Sequence, residues 1–201
     1  MNVSTMLSDL GIRLNDVNED RFFEEDKLAM LNTAQLEIAS LAPTELLDNL
    51  QEKYDFTASA TGKPLPNNYF RYVNSNLRSL YPVKWITKRD VDSLSTEGNR
   101  YLKGTNSSPT CYIWKGLFYL NVDTFSENYI KVRLFYIKEP SAMSANGTSE
   151  LHPKLHPLLV DFAEATLALN SKVGDPNVYL AKMKSVYERL EALGGISKSN
   201  E

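Results

Sequence analysis

A chain of 201 residues with a formal net charge of −3 and one cysteine has the length of a single domain, able to bury roughly 70% of the surface its unfolded form exposes. The lone cysteine excludes an internal disulfide framework, and acids interspersed with bases exclude the extended cationic footprint of a tight nucleic-acid binder. No charged-then-apolar leader opens the sequence and no apolar run approaches the roughly 20 residues of a membrane span, so the expectation is a protein made in a reducing cytoplasm with no membrane partner.

In chain order, Leu7, Leu10 and Leu14 recur at helical spacing and predict a short first helix, weakened at Gly11 and ended by Asn15-Asp16. Glu24, Glu25 and Asp26 suit the positive end of a second helix, whose stripe runs through Leu28, Leu31, Ala34, Ile38 and Leu41 until Pro43 stops it. Thr44 caps a further helix over residues 44–54, and residues 56–60 read as a short strand. The turn formers of residues 61–68 lead into an aromatic run, Tyr69, Phe70 and Tyr72, which carries no clear period. Residues 83–86 suit a strand, residues 89–94 a helix capped by Thr87, and residues 98–108 a polar loop.

The strongest β signal follows. Residues 110–114 and 117–122 are β-prone runs joined by Lys115-Gly116, the glycine supplying the positive φ of a tight hairpin. Residues 129–138 form a third strand with Ile130, Val132, Leu134 and Tyr136 on one face. After a polar excursion over residues 141–150, Pro153 and Pro157 start a helix bearing Leu158, Leu159, Phe162 and Leu169. Asp175-Pro176 starts the last helix, with Leu180, Met183, Tyr187 and Leu190 on its stripe and Gly194-Gly195 ending it.

Catalytic patterns are weak. His152 and His156 have the separation at which two imidazoles face one metal from a helix, but a proline follows each and no glutamate takes the general-base position, so both rings read as solvated or locally paired. Cys111 in a β run reads as a small buried apolar residue rather than a nucleophile. Asp161 and Glu164 read as an exposed helix flank. The expectation is a protein that is no enzyme and holds no cofactor or metal.

The run Leu10-Gly11-Ile12-Arg13-Leu14-Asn15-Asp16, the acidic turn, and the helix beginning Leu28-Ala29-Met30-Leu31-Asn32-Thr33-Ala34-Gln35 resemble the opening of the tailed-bacteriophage head-to-tail connector, or adaptor, family. Pro109-Thr110-Cys111-Tyr112, the hairpin, a strand ending in proline, a polar loop and a closing helix pair extend the resemblance over most of the chain, although members carry Asp-Gly where this chain has Lys115-Gly116. The expected fold is α+β and mostly helical: N-terminal helices, a small antiparallel β-hairpin or sheet inserted over about residues 54–140, and a C-terminal helix pair. Residues 1–193 form one connector-like domain, and residues 194–201 a polar C-terminal tail.

The resemblance implies a structural virion protein of the head-tail neck, assembled as a homo-oligomeric ring of about twelve copies. The ring docks on the portal protein, meets a downstream tail or nozzle protein, and extends the channel through which double-stranded DNA passes non-specifically during ejection. Portal docking is expected of the tail residues Ile196, Ser197, Lys198, Ser199, Asn200 and Glu201. Contacts to the tail or a neighbouring subunit are expected of Lys115, Gly116, Asp123, Phe125, Asn128 and Asn146. A small nucleic-acid-binding regulator is the alternative, and salt-sensitive DNA affinity is its signature.

Overall fold

The computed structural model describes residues 1–59, 61–77, 81–87, 104–105, 108–122, 131–172 and 174–197. They divide into two units. A helical unit combines residues 1–50 with residues 139–201, and a β unit comprises residues 51–138.

The helical unit opens with α1 (Val3–Arg13). Asn15 ends it at φ 52° in the left-handed region. The Asn15 amide donates to Ile12 and the Asp16 amide to Gly11 at 2.8 Å, the paired bonds of a Schellman turn. Next come α2 (Glu24–Leu41) and a 3-10 turn, Thr44–Leu50. The returning chain forms a second 3-10 turn at Pro153–Leu155, then α3 (His156–Asn170) and α4 (Pro176–Ser197). Asp175 caps α4 by accepting the Asn177 amide at 2.9 Å, and the helix continues through Gly194-Gly195, where the sequence places its end. Central α3 packs on α1, α2 and α4. Its Leu158, Leu159 and Val160 are fully enclosed, each leucine worth about 1.5–3 kcal/mol of burial.

The polar excursion of residues 141–150 is pinned rather than free. Asn32 accepts the Met143 amide at 2.7 Å and donates to the Met143 carbonyl. Gln35 donates to the Ser141 carbonyl at 2.9 Å and accepts from the Ser149 hydroxyl. Met143 is buried beneath these bonds. Amide side chains at 32 and 35 supply the partners that a loop backbone otherwise takes from water.

The β unit holds two sheets. In the first, β1 (Gln51–Thr57) pairs antiparallel with β8 (Lys131–Lys138), which pairs with β3 (Tyr69–Leu77), which pairs with β4 (Tyr81–Pro82). In the second the order is β2 (Lys63–Pro64), β7 (Leu117–Asn121), β6 (Thr110–Trp114) and β5 (Lys84–Trp85), with β5 parallel to β6. The inward faces share one core, built around Phe56, Cys111, Phe118, Leu120, Val132 and Leu134. Phe56 and Phe118 meet edge to face at 5.3 Å.

Among the described residues helix accounts for 45% and strand for 25%, so the class is α+β but the mostly helical expectation is corrected. Three causes are visible in the chain. Residues 51–54, read as the end of a helix, begin β1. The aromatic run belongs to β3, where register shifts between Tyr69 and Arg71 and between Tyr72 and Asn74 break the two-residue period. Strands β2, β4 and β5 are two residues long and have no period to read. The helix expected over residues 89–94 lies outside the described residues.

Candidate functional site

The helical unit exposes Met1 and, on α2, Leu36 and Leu41, but its most exposed large apolar side chains fall in two other stretches. One is the α1–α2 connection, where Ile12, Val17 and Phe23 face solvent, Phe23 at 69%. Its fixed shape comes from a buried ion pair. Asp16 accepts the amides of Arg21 at 2.9 Å and Phe22 at 3.0 Å, and Lys27 Nζ lies 3.4 Å from its carboxylate. Burial works against the Asp16 charge, but the two amides and the Lys27 ammonium outweigh it and hold the carboxyl below the usual aspartate range. Lys27 also donates to the Asp16 carbonyl at 3.1 Å. Phe22 is thereby tucked inside while its neighbour Phe23 points out at the start of α2.

The other stretch lies on α4. Leu180, Met183 and Tyr187, spaced to share one helix face, line a shallow groove of about 470 Å³ with Lys184, Glu188 and Glu191. Leu180 is 54% exposed and Val178 is exposed as well, whereas Val186 and Leu190 turn into the core. Tyr187 meets Phe162 edge to face and donates to Glu37 at 3.4 Å, which anchors the floor of the groove.

Between α1, α3 and α4 runs an ionic clamp that sequence reading missed. Arg13 donates to Asp161 at 2.7 Å and pairs with Asp9 at 2.9 Å, Arg189 donates to Asp161 at 2.8 Å, and Lys182 pairs with Glu164 at 2.6 Å. Glu164 is buried, which corrects the reading of Asp161 and Glu164 as an exposed flank. The partners lie on other helices, Arg13 being 148 residues before Asp161; spacing within one helix carries no trace of them. The carboxylates around Arg13 keep its guanidinium charged well beyond the ordinary range.

In the β unit, Lys115 (φ 50°) and Gly116 (φ 74°) form the tip of the β6–β7 hairpin, as expected from the sequence. Trp114 is exposed beside the tip, and on the same outer face Tyr112 and Tyr119 stack at 4.8 Å with rings 5° from parallel. Asn146 occupies an exposed turn of the helical unit. Ile196 and Ser197 fall in the last turn of α4. Asp123, Phe125 and Asn128, and Lys198, Ser199, Asn200 and Glu201, lie outside the described residues.

The two histidines and the cysteine weighed in the sequence each have structural contacts. His156 is buried, its Nε2 bonded to the Leu151 carbonyl at 3.0 Å and its Nδ1 2.9 Å from the Met1 amino nitrogen. Desolvation lowers its pKa and favours the neutral ring. His152 accepts the Lys154 amide and caps the 3-10 turn. Cys111 lies 3.5 Å from Ser75 Oγ and 3.7 Å from Tyr72 Oη, and burial pushes its thiol up, away from the thiolate that nucleophilic chemistry uses. Tyr136 donates to Glu52 at 2.8 Å and its hydroxyl lies 2.9 Å from Asn68 Oδ1; burial and the Glu52 carboxylate push its phenol up to about 12. Among the described residues, no group of three His, Cys, Asp or Glu is placed to hold a metal ion, and no helix is long and apolar enough to cross a membrane.

No family model matches the chain, and no curated protein matches it. Its surfaces are therefore the guide to what it does, and the most distinctive are the two apolar stretches of the helical unit.

Proposed function

We propose that this chain is a structural subunit of a ring-forming head-to-tail adaptor, sitting at the neck of a tailed-phage virion between the portal and the tail. It is made in the host cytoplasm, oligomerises on the portal protein, receives a downstream tail or nozzle protein, and surrounds the channel through which DNA leaves.

One observation carries this reading beyond the sequence resemblance. The helical unit closes its own core yet leaves Phe23 and Leu180 exposed on two different stretches. A closed ring needs two unlike surfaces per subunit, because each copy meets its neighbours head to tail. A weakly acidic chain also favours a channel through which DNA slides without the counterion-release attraction that holds a nucleic-acid binder in place.

Co-sedimentation with cognate portal rings tests the reading, using the full chain beside one ending at Leu193 and imaging the complexes for rotational symmetry. Stoichiometric ring binding that depends on residues 194–201 is the expected result. Failure of both forms to bind, together with salt-sensitive DNA affinity, favours the regulator instead.

A further inference from the structure

We infer that the outer face of the β6–β7 hairpin is a platform for single-stranded nucleic acid, with Trp114 and the Tyr112–Tyr119 stack taking unpaired bases while Lys84 and Lys115 meet the phosphates. The inference goes beyond the adaptor reading and does not depend on it.

The chain-wide charge of −3 is made of two opposite parts. The helical unit carries 18 acids against 9 lysines and arginines, and the β unit 7 acids against 13, so the first stands at −9 and the second at +6. Acids and bases look interspersed only while the chain is read end to end. Among the described residues of the β unit the acids are Glu52 and Asp55, both on β1 of the first sheet and both engaged. Glu52 accepts from Tyr136 at 2.8 Å, and Arg133 holds Asp55 at 2.7 Å. The second sheet differs. From residue 58 to residue 122 the described residues include Lys63, Arg71, Lys84 and Lys115 and no acid. A surface of that sign draws a polyanion by releasing its counterions.

The aromatic side chains select the kind of polyanion. Strand β6 alternates across its sheet, so Thr110, Tyr112 and Trp114 share the face opposite Cys111. Tyr112 stands across from Tyr119 and Trp114 across from Leu117. The two tyrosine rings, half-buried and 5° from parallel, form a stack that a further flat ring can extend, and Trp114 beside them is 45% exposed. Lys115 is exposed next to Trp114, and Lys84, also exposed, is in register with Thr110 at the other end of the same face. Flat rings between cations match a nucleotide strand, whose bases stack while its phosphates are neutralised. A neutral sugar has no use for the cations, and an acidic protein none for the stack. A duplex keeps its bases stacked on one another and gains the cations' share alone, so the platform does not hold double-stranded DNA that slides past.

Fluorescence anisotropy of the full chain with a labelled oligothymidylate, over a range of salt concentrations, tests the platform. The expected result is binding that weakens with salt and is tighter than for a duplex of the same length. Trp114→Ala is expected to weaken it about ten-fold, while Trp114→Phe, which keeps a flat ring, retains most of the affinity; circular dichroism confirms that both variants fold. Lys84→Ala and Lys115→Ala are each expected to flatten the slope of log affinity against log salt by about 0.7. Affinity that Trp114→Ala leaves unchanged, equal affinity for the duplex, or no oligothymidylate binding at low salt overturns the inference. Salt-insensitive binding of neutral cellohexaose in place of the oligonucleotide overturns it in favour of a sugar site. Portal co-sedimentation on the same preparation reads the adaptor function separately, so either can fail while the other stands.

Discussion

Both units expose some large apolar side chains, but among the described residues only the helical unit buries charged ones. Among the described residues, the buried charged side chains and the buried imidazole (Asp16, Lys27, His156 and Glu164) all belong to the helical unit, while the buried polar residues of the β unit are the neutral Ser75 and Thr110. The β unit carries ion pairs outside its core, Arg133 gripping Asp55 at 2.7 and 2.9 Å across β8 and β1 and Lys138 lying 4.0 Å from Glu52. The helical unit joins two chain segments separated by 88 residues of β unit (residues 51–138), and directional ionic contacts fix the register of pieces that sequence does not hold together. The β unit is one continuous segment, and its core is apolar.

Both tryptophans, Trp85 and Trp114, lie in the β unit, and both histidines lie in the helical unit, so tryptophan emission and the helical dichroism signal report the two units separately. The largest expected effects break each unit at its own kind of contact. Phe118→Ala empties the centre of the β core and costs about 3–5 kcal/mol, read as an earlier urea midpoint in tryptophan emission. Lys27→Ala strands the buried Asp16 carboxylate and costs a similar amount, about 3–5 kcal/mol, read in the dichroism signal.

Acid sharpens the contrast. His156 and Asp16 both have folded-state pKa values below their unfolded ones. Each therefore contributes stability that is complete above its unfolded pKa and is lost as pH falls toward the folded value. Denaturant midpoints of the helical signal are expected to fall in two stages, below about 6.5 and again below about 4. Tryptophan emission stays level through the first stage. His156→Gln is expected to remove that first stage; its persistence would assign the upper titration to another group.

Smaller effects test the turns of the β unit. Gly62 sits at φ 86° with the Tyr119 ring 2.9 Å from where a Cβ would stand. Gly62→Ala displaces that ring and strains the backbone, a cost of about 1–3 kcal/mol, visible as an earlier midpoint in tryptophan emission. Lys115 holds a left-handed conformation that asparagine adopts more readily. Lys115→Asn is expected to stabilise the hairpin by about 0.5 kcal/mol, and a midpoint that moves down would show that the lysine makes a compensating contact.

Elements that carry their own period were legible in the sequence. The stripes of α1 and α3, the Asn15 and Asp175 caps and the Lys115-Gly116 turn are local, and each lies where spacing puts it. What depends on a distant partner was not. Strand β1 alternates Glu52, Lys53, Tyr54, Asp55 and Phe56, a pattern that becomes a strand by pairing with β8 some 78 residues on, as Asp55 and Arg133 do. The candidate surface was half visible: Leu180, Met183, Val186, Tyr187 and Leu190 were read as one stripe, of which the helix turns Val186 and Leu190 inward and leaves the other three lining the groove. Phe23 gave no signal, because the neighbouring Phe22 is equally apolar and only the Asp16 bonds decide which ring turns inward.

The pairing of Gln51 with Ile137 has one more consequence. Antiparallel partners stand about 5 Å apart at their Cα atoms, so the chain leaves for the β unit and returns from it through neighbouring positions. A link of about two residues, each reaching about 3.5 Å, spans that gap. In the grammar of the chain, residues 51–138 form a parenthesis: a cassette that evolution can exchange, or an engineer lift out, while the sentence of helices around it still reads through.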